Sequence, residues 1–114
     1  MSENIERSTW ANYFDEFTKR NQSRLTRLEI FGALGAQEEE RGLPFAGIAL
    51  NQDSAAPSVQ IMLGKPGDTE PGHLSHLIVN VQTITPKRGS DGRDEALEII
   101  NAQGETNLLR FETA

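Results

Sequence analysis

The residues best suited to chemistry fall in one stretch, from Asp68 and Glu70 to His73 and His76, and it holds both histidines of the chain. Two imidazoles and two carboxylates form a mixed nitrogen and oxygen donor set of the kind that binds zinc or nickel. On a helix, positions 73 and 76 share a face and could grip one ion. However, "HLSHLIVNV" is rich in β-branched residues and follows Pro71-Gly72, which favours a strand. On a strand the two positions face apart. A shared ion then requires His73 to remain in the preceding loop beside Asp68 and Glu70. The alternative is structural: His76 hydrogen-bonded within the sheet and His73 in solvent. Ser75 lies between the two, but adjacent strand residues face apart, so His76 cannot serve it as a base. The chain also has no Gly-x-Ser-x-Gly elbow.

Lys19, Arg20, Arg24 and Arg27 form a second group, with no acid between Thr18 and Leu28. Such a cluster could line a rim that takes an anion or RNA. Yet 17 acids against 11 bases give a net charge of -6, which opposes binding to phosphate-rich partners. The acids Glu38 to Glu40, and Asp94 with Glu95 and Glu98, read as solvated faces. Glu98 and Arg110 are placed to pair across the last hairpin. "GALG" and "GSDG" lack the spacing of a phosphate loop. No cofactor is expected from any of these patterns.

The elements that position these groups follow from periodicity. Ser8 has the side chain of an N-cap. Trp10, Tyr13, Phe14 and Phe17 then follow at helical spacing, which puts four aromatics on one face of a helix ending near Asn21. From residue 24 the period drops to two. "RLTRLEIF", "GLPFAGIALN", "SVQIMLG", "HLSHLIVNVQTIT" and the two arms of "ALEIINAQGETNLLRFE" read as about six strands, the last two turning at Gln103-Gly104. The fold class is therefore α+β, mainly β. An N-terminal amphipathic helix is followed by mostly antiparallel strands, which form a small barrel or a strongly curved sheet over a single domain, 1–114. A chain of 114 residues buries roughly two-thirds of its unfolded surface, enough for one core without disulfides. It has no cysteine, which fits a reducing cytoplasm. "MSENIERSTW" has no apolar signal region, and no apolar run approaches the roughly 20 residues of a membrane helix.

Some pieces of the chain occur in a familiar order. They are the helix with Trp10, Phe14 and Phe17; Leu43-Pro44-Phe45-Ala46-Gly47-Ile48; His76 and Ile78; Glu95 to Ile99; and Leu109-Arg110-Phe111. In this order the chain resembles a family of short bacterial proteins, domain-of-unknown-function family 5335. Where that family often carries Gly-Trp at the first strand, this chain has Ser23-Arg24-Leu25. The resemblance implies a bacterial source and brings no assigned activity. The helix-then-strands order is also similar to Sm-like and other small barrels, a likeness of fold from which function does not follow.

The expected function is a non-enzymatic, β-rich interaction module acting through protein contacts, with a protein partner or a homodimer, and with "GLPFAGIAL" as a candidate exposed edge. The alternatives are a small-ligand or metal-binding protein centred on residues 68–76, and an RNA binder through residues 19–27.

Overall fold

The computed structural model describes residues 4–32, 35–51, 56–64 and 73–112, with the side chains of residues 36–41 and 73 excepted. A 3-10 turn, Arg7–Thr9, leads into helix α1, Trp10–Asn21. Ser8 is not the N-cap: it lies inside the 3-10 turn, and the residue before α1 is Thr9. The Thr9 hydroxyl turns back to donate to the Glu6 carbonyl at 2.8 Å. The Trp10 amide already bonds the Arg7 carbonyl, so the preceding turn takes over part of a side-chain cap's role. Trp10, Phe14 and Phe17 are buried as the helical spacing predicts, with Tyr13 at their margin. The Trp10 indole donates to the Ile5 carbonyl at 2.9 Å, which pins the N-terminal segment. Ser23, at φ 74, ends the helical path, and its amide bonds the Phe45 carbonyl at 2.8 Å. Among the described residues, no helix is long and apolar enough to cross a membrane.

Seven strands follow: β1 (Leu25–Gly32), β2 (Gly35–Asn51), β3 (Ser58–Gly64), β4 (His73–Ile78), β5 (Val81–Arg88), β6 (Asp94–Asn101) and β7 (Thr106–Phe111). All pairings are antiparallel, and the strands form one sheet in the order β4-β3-β2-β1-β7-β6-β5. The expected six strands become seven because "HLSHLIVNVQTIT" is not continuous. It breaks at Val79-Asn80, where Asn80 adopts φ 56, a left-handed conformation that asparagine tolerates better than most residues. The Val81 amide bonds the Pro57 carbonyl at 3.0 Å, and the Asn80 carbonyl accepts from the Ala102 amide at 2.8 Å. Both bonds hold the break in place.

This break shapes the whole sheet. β4 and β5 are the two edges, yet only two residues join them. In a flat seven-stranded sheet the edges would lie about 29 Å apart, at six spacings of about 4.8 Å. Three Cα steps reach only about 11 Å. The sheet must therefore curl round on itself. No ladder joins β4 to β5, so it is not closed into a hydrogen-bonded barrel.

β2 turns the corner. Residues 35–44 pair with β1 and residues 45–51 pair with β3, with register shifts on both sides. The Glu38 to Glu40 run lies within this strand. "GLPFAGIAL" crosses this corner, pairing with β1 up to Pro44 and with β3 from Phe45, and its other flank is partly covered where the Phe45 and Ile48 amides bond the Arg24 carbonyl and Thr18 Oγ1. α1 packs on β2. Thr18 Oγ1 accepts from the Ile48 amide at 3.2 Å, and a side chain at Gly47 would touch Thr18 and Met62 at 3.5 Å. Phe17, Phe45 and Phe111 meet with ring centroids 5.6 to 5.7 Å apart, which joins helix, β2 and β7 in one aromatic cluster. Leu28, Ile61, Leu97, Ile99 and Leu109 extend the core inside the curl.

Candidate functional site

β4 runs regularly from His73, opposite Gly64, to Ile78, opposite Val59. The side chain of His73 lies outside the described residues. The His76 imidazole points into the curl, where Nε2 lies 3.0 Å from Asn107 Oδ1 on β7. Asn107 is 3% exposed, and its Nδ2 donates to the Ile99 carbonyl at 3.4 Å, which turns Oδ1 toward the imidazole. Nε2 must then carry the proton and donate. β4 and β7 are not neighbours in the sheet, so this bond spans the curl. Ser75 lies on the other face, exposed, and accepts from Gln60 on β3. Asp68 and Glu70 lie outside the described residues. Among the described residues, no group of three or more His, Cys, Asp or Glu could hold a metal.

Replacing His76 with alanine leaves the buried Asn107 oxygen without its donor. The expected cost is about 1–2 kcal/mol in a denaturant titration. Nitrogen-15 NMR of the wild type should find the Nε2-protonated tautomer.

The four basic residues separate. Lys19 pairs with Asp15 at 3.2 Å on the exposed face of α1. Arg27 lies on β1, 4.0 Å from Glu29, which also takes Arg110 at 3.0 Å. The expected Glu98–Arg110 pair is not the one found. Glu98 sits opposite Leu108, and Arg110 sits opposite Ala96. The register follows from Asn101, whose Oδ1 accepts from the Gln103 and Glu105 amides at 3.1 and 3.0 Å and so sets a longer turn.

Arg20 and Arg24 do converge, on a residue that the pattern of charges assigned to a solvated face. Asp94 begins β6 and is 6% exposed. Its Oδ2 accepts from Arg20 Nε at 3.0 Å and from Asn21 Nδ2 at 2.9 Å, and its Oδ1 lies 3.6 Å from Arg88 Nε. Arg24 donates to the Asp94 carbonyl and to Asn21 Oδ1, both at 2.8 Å, and lies 4.3 Å above the Phe111 ring. Burial alone would push the Asp94 carboxyl up. The hydrogen bonds from Arg20 and Asn21, with the charges of Arg20 and Arg88, outweigh it and hold the group below the ordinary carboxylate range. Burial, then the Asp94 charge, pushes the Tyr13 hydroxyl up, so it stays protonated beside Arg20. Asn21 is itself buried.

The cluster ties the end of α1 to the β5–β6 hairpin. Beside it lies an open groove of about 520 Å³, with Arg24 and Arg93 facing Asp91, Glu95 and Glu112. Its charges are mixed. Each of the four basic side chains lies beside a carboxylate or carbonyl of the chain itself, so a phosphate would have to compete with internal partners. One sequence signal did point to Asp94. "RGSDGRD" can close a tight hairpin, and Gly89–Arg93 does so with Gly92 at φ 83, which brings Arg88 opposite Asp94.

The two sheet edges differ. β5 carries Pro86, Lys87 and Arg88 and has two register shifts. The Ile5 amide also bonds the Ile84 carbonyl at 2.8 Å, so the N-terminal segment covers part of that edge. Proline, positive charge, bulges and a covering segment are the devices that keep an edge strand from pairing. Among the described residues, β4 has none of them between Leu74 and Ile78. It is in continuous register with β3, free of Pro, Lys, Arg, Asp and Glu, and it exposes Leu77 at 56%, with Val79 just beyond at 47%.

No curated protein and no solved structure matches the chain. One family does match, and it covers every residue from 1 to 114. With the helix, the β2 corner and the final hairpin all present in the structure, the chain belongs to the family of unknown function DUF5335.

Proposed function

We propose that the protein is a non-enzymatic interaction module that accepts an extended segment of a protein partner along β4. The supporting observation is the contrast between the edges: among the described residues, β5 is blunted in four ways and β4 in none. Strand addition draws affinity from main-chain hydrogen bonds and selectivity from alternate side chains, here Ser75 and Leu77 on the outer face. The inner face of β4 is anchored by His76 and Ile78, so the edge is held rigid for docking.

Leu77→Lys tests this reading. Leu77 is exposed and touches the edge rather than the core, so folding stability should change by no more than about 0.5 kcal/mol. Partner binding should be lost. On the wild-type complex, amide hydrogen exchange should slow across Leu74–Ile78. A partner that binds while those amides exchange at their free rate would sink the proposal.

A further inference from the structure

We infer that the occupant of the β4 edge is β4 of a second copy of this chain, paired antiparallel about a two-fold axis at Leu77. The inference rests on the reading of β4 as a docking edge and names its partner.

Charge supplies the first reason. Each copy carries a net charge of -6, so two copies repel over most approaches. From Leu74 to Asn80 the chain has no Asp, Glu, Lys or Arg, and the imidazole of His76 faces inward to Asn107. Two edges can meet here without bringing like charges together.

Self-complementarity supplies the second. A two-fold interface sets the same patch against itself. With the axis at Leu77, Leu77 faces its own copy and Ser75 faces Val79. The two exposed apolar side chains of this edge, Leu77 and Val79, are then covered in one step, against small or apolar neighbours.

Closure supplies the third. The Asn80 carbonyl and the Val81 amide are engaged within the molecule, so pairing stops at the break. Head-to-tail growth would need β4 of one copy on β5 of the next, and β5 is covered by Ile5 and interrupted by Pro86. A heterologous chain of copies is blocked, and a closed dimer remains.

The test is sedimentation of the full chain over a micromolar to millimolar range, with amide exchange on the same samples. A particle of twice 12.6 kDa with slow exchange at Leu74–Ile78 is expected. Leu77→Lys and Leu77→Glu should each be folded monomers, weakened on the order of 100-fold or more, because like charges then meet at the axis. Mixed in equal amounts, the two variants should dimerise again, since lysine would face glutamate.

A wild type that stays monomeric overturns the second copy as occupant. Strand docking itself then stands or falls on whether a different protein protects β4. A dimer whose β4 amides exchange freely, or whose charge variants fail to rescue each other, overturns the inference by placing the contact elsewhere.

Discussion

Phe17→Ala is expected to destabilise the protein by about 3–5 kcal/mol, the largest effect of any single side-chain truncation we predict. Phe17 is 0% exposed and lies where three elements meet. Its ring packs edge-on to Phe45 on β2 and tilted against Phe111 on β7, and Tyr13 stacks near it from the preceding turn of α1 at 5.7 Å. Removing it opens a cavity that neither the helix nor a doubly paired β2 can collapse into without losing its other contacts. Domains of this size are stable by only about 5–15 kcal/mol, so the loss should appear as a large drop in urea midpoint. A shift below about 1 kcal/mol would mean that α1 is not part of the cooperative core.

Asp94→Ala is expected to cost about 3 kcal/mol, the low end for breaking a buried ion pair, because Arg20 and Arg88 reach water while Asn21 does not. The variant would leave Asn21 Nδ2 with one partner fewer and Arg20 without its carboxylate against the Tyr13 ring. The same residue sets a pH dependence. Its carboxyl titrates lower in the folded protein than in the unfolded chain. The stability it contributes is therefore complete above the unfolded value of about 3.9 and is lost as pH falls through the folded value. Urea midpoints of the wild type should hold from neutral pH to about pH 5 and fall steeply below about pH 4. Asp94→Asn should flatten that fall. An equally steep acid transition in Asp94→Asn would assign the effect to other carboxylates.

The helix face and the strand candidates were legible in the sequence because each rests on local spacing. Trp10, Phe14 and Phe17 recur at 3.6 residues, and Leu97, Ile99, Leu109 and Phe111 recur at two; all are buried. The turn at Gly104, φ 81, was legible because glycine takes that conformation freely. The break at Asn80 was not read. "LIVNV" has the composition of one continuous strand, and the residue that turns it is a single asparagine. The last hairpin was placed in the right strands but two residues out of register at Glu98 and Arg110, because the Asn101 side chain, rather than the Gln103-Gly104 pair, sets its turn.

The candidate sites were less legible, because each depends on contacts made far along the chain. His76 reaches Asn107 across 31 residues, and Arg20 reaches Asp94 across 74. A charged residue between loop and strand looks solvated until the end of a helix is laid over it. An edge strand, likewise, is defined by which neighbours it lacks. "GLPFAGIAL" reads as freely as "LSHLI", yet the first changes partner strand at Pro44-Phe45 and meets the end of α1, while the second has β3 on one side only among the described residues.

The sequence alone determined the class of object, one amphipathic helix and a set of antiparallel strands around one core, because apolar spacing fixes which faces must be buried. The tertiary structure alone decided the order of the strands, the burial of Asp94 under the end of α1 and which strands lie at the edges. Those depend on which distant segments lie side by side, and periodicity along a chain carries no information about its neighbours in space.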